Sequence, residues 1–127
     1  MAAYILVVDD NEINLKLISK ILELGGYEVA TARSGRLALE MVRKRMPDLA
    51  ILDVMMPDMD GYELCSSLRQ PPVGAKIPIV MLTALNDETE RTLAMKAGAN
   101  DIWSKPFEMD EMRGRLEALL KQKKPSS

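Results

Sequence analysis

Short apolar runs alternate along this chain with longer segments whose apolar residues recur every three or four positions. The runs occupy residues 4–8, 27–32, 49–53, 77–83 and 101–104. Such alternation predicts βα units and a parallel sheet. The first, third and fourth runs are almost wholly apolar, which requires helices on both faces of the sheet. We therefore expect an α/β fold with five strands and five helices, in a doubly wound sandwich.

The helical segments carry recognisable start and stop signals. The spacing predicts that four apolar residues share one face of the first helix, which Gly25 then ends: Ile13, Leu17, Ile21 and Leu24. Ser34 is expected to cap the second helix. Neither an internal linker nor a low-complexity stretch interrupts the pattern. We expect one domain over residues 1–121, with 122–127 as a tail or the start of a linker.

Composition narrows the classes of function. The chain has 127 residues, a net charge of −2 and no histidine, which excludes Ser-His triads and His-ligated zinc. The near-neutral charge favours neither direct nucleic-acid binding nor an anionic membrane, and no apolar run approaches the ~20 residues of a membrane span. The start of the chain does not read as a signal peptide. A single cysteine, Cys65, favours a reducing cytoplasm.

Polar residues occur at one repeated place, the carboxyl end of a strand. Asp9 and Asp10 end the first run, Asp53 the third and Thr83 the fourth, and Lys105 follows the fifth. In open α/β sheets, ligands bind outside these ends at the topological switch point. If the first and third strands are neighbours, three carboxylates converge there. An isolated aspartate would be an ordinary helix cap, and Asp10 could cap the first helix, but five polar residues at one edge favour a site.

The chemistry of these groups favours phosphoryl transfer. Clustered carboxylates repel one another, and an all-oxygen site of this kind suits Mg²⁺. A hydroxyl on Thr83 and an ammonium on Lys105 are suited to hold phosphoryl oxygens. Asp53 lies centrally, and carboxylates form covalent phosphoryl intermediates, so Asp53 is the candidate nucleophile.

The chain resembles the response-regulator receiver domain of two-component signalling along almost its whole length. The motifs that carry the resemblance are Asp9-Asp10, Asp53 within Leu-Asp-Val-Met-Met-Pro-Asp-Met-Asp-Gly, Thr83-Ala84 and Lys105-Pro106-Phe107. The resemblance implies a flavodoxin-like fold with strand order 2-1-3-4-5. It also implies a signalling switch that catalyses only its own phosphorylation and dephosphorylation.

The resemblance further assigns roles to the residues at the predicted edge. Asp53 would accept a phosphoryl group from a phosphohistidine on a sensor histidine kinase or a histidine phosphotransfer protein. Asp10 would bind Mg²⁺ directly and Asp9 through water, with the backbone carbonyl of Met55 and Asp53 completing the set. Phosphoryl oxygens would be bound by Thr83, Ala84 and Lys105.

The switch and the output surface show one departure from the family. Ile102 stands where the family carries an aromatic residue, and Trp103, on the opposite face of the strand, is interpreted as a packing residue. The residues expected to carry the switch are Ile102, Trp103, Lys105 and Pro106. A phosphorylation-dependent homodimer through the fourth helix, fifth strand and fifth helix is one hypothesis, and ordinary solvated charge is the other.

Other functions remain open at this point. An aspartate-based phosphatase would need a second acid where Met55 stands, and a flavin site would need a first loop without Asp10-Asn11-Glu12, which repels phosphate. A passive docking module with the same fold is a third alternative. Because neither Met55 nor Leu85 can hydrogen-bond to an attacking water, we expect slow hydrolysis of the phosphorylated state.

Overall fold

The computed structural model describes residues 3–56, 58–70, 77–83, 88–104 and 109–123. Within these ranges strands and helices alternate strictly, as the sequence predicts. In chain order the elements are β1 (Tyr4–Val8), α1 (Glu12–Leu24), β2 (Glu28–Ala32), α2 (Gly35–Lys44), β3 (Leu49–Asp53), α3 (Gly61–Leu68), β4 (Ile79–Thr83), α4 (Glu88–Ala97), β5 (Asp101–Ser104) and α5 (Met109–Lys123).

The five strands form one parallel sheet in the order β2-β1-β3-β4-β5. The predicted doubly wound α/β fold is therefore confirmed. β1, β3 and β5 coincide with their apolar runs, while β4 begins at Ile79, directly after Pro78, which has no amide hydrogen to donate to a neighbouring strand. β2 and β3 lie on opposite sides of β1, so the strand order reverses at this point. Because β1 and β3 are parallel neighbours, their carboxyl ends lie side by side.

The sheet separates two apolar layers, because successive strand residues point to opposite faces. One layer joins the strands to α2, α3 and α4, and Leu52, Leu64 and Ile102 are buried in it. The other joins them to α1 and α5 and contains Ile51 and Trp103. The prediction that Ile102 and Trp103 face opposite ways is confirmed, and Trp103 is a buried packing residue.

The apolar stripe noted on the first helix is not the face that packs on the sheet. Ile13, Leu17 and Leu24 are 77%, 56% and 69% exposed, and Ile21 is half-buried. The buried face of α1 consists instead of Leu15, Ile18 and Leu22. Both sets have helical spacing, so periodicity alone does not distinguish them. The exposed stripe is thus a surface feature that core packing does not explain.

Gly61 allows α3 to start directly against the end of β3. A Cβ at this position would lie 2.4 Å from the carbonyl oxygen of Asp53 and 2.6 Å from Cε of Met81, closer than real side chains come. The amide of Gly61 donates to the carbonyl oxygen of Val54 at 2.9 Å. Because glycine has no Cβ, it lets a helix start this close to the last residue of the central strand.

Paired polar groups occupy the amino edge of the sheet, where the strands begin. The guanidinium of Arg69 donates to the carbonyl oxygens of Gly98, at 2.8 Å, and Ile77, and to Oδ1 of Asn100 at 2.7 Å. These bonds fasten the end of α3 to the segments that lead into β4 and β5. At the amino edge, the guanidinium of Arg69 is therefore paired with oxygen acceptors.

A second set of contacts holds β1 and β2 at the same edge. Arg45 donates two bonds to the carboxylate of Glu28, at 2.6 and 3.0 Å, and its guanidinium lies 3.9 Å from the centre of the Tyr4 ring. The amide of Tyr4 donates to Asp48 at 2.7 Å.

Two further predictions concern the ends and the exterior of the domain. Within the described ranges, no helix combines the length and the apolar character needed to cross a membrane. Residues 122 and 123 of the expected tail belong to α5, and 124–127 lie outside the described residues. The division at residue 121 stays a prediction.

Candidate functional site

Three aspartates meet at the carboxyl ends of β1 and β3. Asp53 is the last residue of β3, and Asp9 and Asp10 directly follow β1. One carboxylate oxygen from each of the three lies within 4.8 Å of the other two. Asp9 and Asp53 are buried, with 1% and 6% of their surface exposed, whereas Asp10 is exposed. The predicted convergence of these three residues is therefore present in the structure.

Asp9 is held in place by neighbouring amide groups. The backbone amide of Asn11 donates to its Oδ1 at 2.9 Å, and the side-chain amide of Asn14 donates to its Oδ2 at 3.3 Å. Asn14 lies in the first turn of α1, so the helix start and the carboxylate position each other. Both bonds fix the orientation of the Asp9 side chain.

The start of α1 also decides between the two interpretations of Asp10. Asn11 is the N-cap, and its Oδ1 accepts bonds from the amides of Ile13, at 2.9 Å, and Asn14, at 3.1 Å. The alternative in which Asp10 caps the helix is therefore wrong. Asp10 instead contributes its carboxylate oxygen to the cluster with Asp9 and Asp53.

The chemistry of this cluster fits a hard divalent cation. Three like charges within 4.8 Å repel one another, and the two buried members have little water to screen them. Mg²⁺ takes oxygen ligands, uses few protein carboxylates and keeps several waters, for which the exposed side of Asp10 leaves access. Met55, whose carbonyl is the fourth expected ligand, follows Asp53 by two residues and is 76% exposed.

Thr83 ends β4, beside β3. Because Asp53 pairs with Leu82, the side chain of Thr83 lies one residue further along the same edge. It is 4% exposed, and its hydroxyl donates to Oε1 of Glu90 at 3.3 Å. Oε2 of the same carboxylate accepts a bond from the hydroxyl of Tyr62. The hydroxyl expected to bind phosphate is thus linked to α3 and α4.

Several expected site residues fall outside the described part of the chain, namely Ala84, Leu85, Lys105 and Pro106. Their roles stay predictions. Ile102 and Trp103 are both described and both buried, and Nε1 of Trp103 donates to Asp101 at 2.7 Å. The structure therefore brings Asp9, Asp10, Asp53 and Thr83 to one edge, and it places the two β5 residues in opposite layers of the core.

Sequence reasoning missed two residues that contact the site, Asn14 and Glu90, and a third, Tyr62, that is linked to it through Glu90. Asn14 was detectable, because an amide one helical turn after an N-cap lies near the residues that precede the cap. Glu90 and Tyr62 were not, because their distance to Thr83 depends on how α3 and α4 dock.

Known proteins agree with this geometry. The profile of the response regulator receiver domain matches residues 5–117. The chain is 43% identical over 118 residues to the alkaline phosphatase synthesis transcriptional regulatory protein PhoP of Bacillus subtilis, covering 93% of this chain and 48% of PhoP. It spans about half, or less, of the length of the curated relatives it matches.

Solved structures give the same result. Chemotaxis protein CheY4 of Vibrio cholerae superposes with a TM-score of 0.90 and 33% identity, covering 94% of this chain and 99% of CheY4. The receiver domain of a sensor histidine kinase from Pseudomonas aeruginosa, which holds a magnesium ion in its active-site cleft, superposes with a TM-score of 0.88 and 30% identity, covering 95% of this chain and 99% of its own. Fold, aspartate cluster and sequence agree, and this chain belongs to the response regulator receiver domain family.

Proposed function

We propose that Asp53 accepts a phosphoryl group from the phosphohistidine of a sensor histidine kinase or a histidine phosphotransfer protein. Receiver domains of this family interact with sensor kinases, and the phosphorylation of this chain is our proposal. The observation that carries it is the meeting of Asp9, Asp10 and Asp53 within 4.8 Å, with Asp53 buried at the centre of the edge.

The proposed reaction is an in-line displacement at phosphorus. A carboxylate oxygen of Asp53 forms a bond to phosphorus, and the bond from phosphorus to the imidazole nitrogen breaks, with its electron pair returning to the donor's ring. Thr83 donates its hydroxyl hydrogen to a phosphoryl oxygen, and Lys105 pairs with the phosphoryl charge. Ala84, next to Thr83, is small enough for the group to approach closely.

The proposed cofactor is Mg²⁺, with Asp9, Asp10, Asp53 and the carbonyl of Met55 as its protein ligands. Support comes from the oxygen donors of the cluster and from the related receiver domain that holds magnesium in its cleft. When bound, the cation neutralises charge that builds up on the phosphoryl oxygens. Asn11 and Asn14 keep Asp9 oriented toward the shared site.

The donor must dock beside the cluster, and α1 offers a surface for it. Ile13, Leu17 and Leu24 form an exposed apolar stripe that begins two residues after the N-cap Asn11. Met55, also exposed, follows the end of β3 by two residues. Apolar residues grouped on a surface mark interaction sites more often than isolated ones do. A helical donor that packs on this stripe would bring its phosphohistidine to Asp53.

The output of the switch is proposed for the surface formed by α4, β5 and α5. Ile102, Trp103, Lys105 and Pro106 link the phosphorylated edge to this surface. Arg115 there contacts Asp101 at 3.6 Å and Glu111 at 3.3 Å, all at exposed or half-exposed positions. A phosphorylation-dependent homodimer through this surface is part of the proposal.

The remaining parts of the proposal concern the domain boundaries, the location in the cell and the partners that are not expected. The receiver domain is taken as residues 1–121 and the tail as 122–127. A cytoplasmic location is supported by the single buried thiol of Cys65, and the net charge of −2 supports no direct contact with nucleic acid or membrane.

The proposal is tested by intact-mass measurement after incubation with acetyl phosphate and Mg²⁺. We expect one added phosphoryl group, which does not form when the metal is chelated before the donor is added and is absent in Asp53→Asn. Asp110→Asn, which removes an exposed carboxylate on α5, is the matched control and should be modified normally. An adduct that persists in Asp53→Asn would overturn the proposal. Rapid phosphate release from an aryl ester would favour the phosphatase alternative, and a yellow purified protein would favour a flavin site.

A further inference from the structure

One carboxylate connects the proposed phosphoryl site to two helices. Oε1 of Glu90 accepts the hydroxyl hydrogen of Thr83, at an oxygen–oxygen distance of 3.3 Å, and Oε2 accepts the hydroxyl hydrogen of Tyr62. Glu90 lies in the first turn of α4, Thr83 ends β4, and Tyr62 lies in the first turn of α3. Three elements that are separate in the chain are therefore joined through one side chain.

The three side chains of this bridge, those of Thr83, Glu90 and Tyr62, are partly or fully shielded from water. Thr83 is 4% exposed, and Glu90 and Tyr62 are half-buried. The ring of Tyr62 packs against the apolar layer beneath α2, α3 and α4. A hydrogen bond to a carboxylate in such a partly buried place is stronger than an exposed one, since less water competes for it.

The hydroxyl of Thr83 cannot serve two acceptors at once. A threonine hydroxyl carries a single hydrogen, so a bond donated to Glu90 excludes a bond donated to a phosphoryl oxygen. We propose that Glu90 is a positioning residue that holds the Thr83 hydroxyl while Asp53 is unphosphorylated and loses it when the phosphoryl group arrives. This inference rests on the proposed function, in which Thr83 binds that group.

The exchange gives the phosphoryl group a direct effect on α4. A phosphoryl group carries about −2 charge at neutral pH, so the carboxylate of Glu90 then loses its bond to Thr83 while negative charge rises nearby. The first turn of α4 then loses this bond to β4 and keeps the bond from Tyr62 of α3 to Glu90. Transmission of the signal from Thr83 to α4 through Glu90 needs no polar atom on Ile102, the residue that stands where the family carries an aromatic side chain.

Binding of beryllofluoride, a phosphoryl mimic, to the full chain with Mg²⁺ tests the inference. Because the bond from Thr83 to Glu90 does not have to be broken in Glu90→Ala, we expect that variant to bind the mimic about 2- to 10-fold more tightly than the unaltered chain. Glu90→Gln keeps an oxygen acceptor and should restore the original affinity. Glu88→Gln, which removes an exposed charge from the same turn, is the matched control.

A second measurement follows the bridge itself. On binding of the mimic, the ring signals of Tyr62 in nuclear magnetic resonance spectra should shift and the amides of α4 should exchange faster with solvent. In Glu90→Ala, α4 should exchange fast before the mimic is added and change little afterwards. Urea unfolding of each variant separates this behaviour from a general loss of stability.

The outcomes distinguish the two proposals. If the unaltered chain binds no beryllofluoride in the presence of Mg²⁺, the proposed function fails. If it binds the mimic, but Glu90→Ala binds with the same affinity and the Tyr62 signals do not move, the role of Glu90 is overturned and the phosphoacceptor function stands.

Discussion

At the amino edge of the sheet opposite or complementary groups are paired, whereas at the carboxyl edge like charges are gathered together. Arg69 satisfies three acceptors at the first edge, and Arg45 and Glu28 form a two-bond ion pair there. At the second edge, the carboxylates of Asp9 and Asp53 lie together in a cluster that includes a third. The first arrangement pairs complementary groups, and the second gathers carboxylates into a site suited to attract a cation.

The largest expected effect on stability is at the amino edge. Arg69→Ala removes the guanidinium donor from the carbonyl oxygens of Gly98 and Ile77, in part-buried bonds, and from Asn100, which keeps its bond from the amide of Ile79. Acceptors left unsatisfied where water has little access are costly. We expect a loss of about 3 kcal/mol in the free energy of unfolding, measured with urea. Arg43→Ala, at an exposed position of α2, is the control and should change little. If both variants lost the same free energy of unfolding, the bonds of Arg69 would not be a source of stability at the amino edge.

The carboxyl edge should respond in the opposite direction. Without divalent cations, Asp53→Asn relieves repulsion from Asp9 and Asp10 and should raise the free energy of unfolding by about 1–2 kcal/mol. Adding Mg²⁺ should then stabilise the unaltered chain more than the variant, because the cation binds the folded state. Glu40→Gln, which removes an exposed charge from α2, should show neither effect. A destabilised Asp53→Asn would mean that the cluster is not under repulsion.

A smaller effect concerns the lifetime of the phosphorylated state. Met55 is exposed and cannot orient a water, so Met55→Asn with Leu85→Glu should speed loss of the phosphoryl group by about 2- to 10-fold. The rate is followed by intact mass after the phosphoryl donor is removed. Met46→Asn, an exposed methionine near the amino edge, should leave the rate unchanged. An unchanged lifetime in the double variant would remove these two side chains from the account of slow hydrolysis.

The smallest effect belongs to the exposed ion pair of the amino edge. The hydrogen bond from Arg45 holds the pKa of Glu28 below its usual value of 4.5. Because the pKa of Glu28 is lower in the folded state than in the unfolded state, its ionised carboxylate stabilises the fold at pH values above the unfolded pKa. This stabilisation is lost as the pH falls through the folded pKa. Unfolding of Glu28→Gln should therefore differ from the unaltered chain at neutral pH and converge with it in acid. A difference between the two proteins that is the same at every pH would contradict this role of the ion pair.

Much of the carboxyl edge could be predicted because parallel strands end together. The runs ending at Val8 and Asp53 were visible in the sequence, and any parallel pairing of their strands brings Asp9 near Asp53. The strand order itself came from resemblance to a family, since periodicity does not say which strands are neighbours.

The helices were harder to predict in detail. Ile18 and Ile13 belong to two stripes of α1 that share the same spacing, and only packing on the sheet selects the buried one. The contact between Thr83 and Glu90 depends on the docking of α4, which depends on tertiary contacts rather than on local pattern. The paired bonds of Arg69 at the amino edge likewise join segments that are distant in the chain.

Gly61 has a consequence for how substitutions in this domain are interpreted. Any side chain there would overlap the carbonyl of Asp53, so α3 would have to move away from the central strand and the geometry around Asp53 would be lost. A survey of all single substitutions would therefore rank position 61 among the least tolerant, together with the acidic residues. Its intolerance would record a lack of space, and sensitivity to replacement is thus no proof that a residue takes part in chemistry.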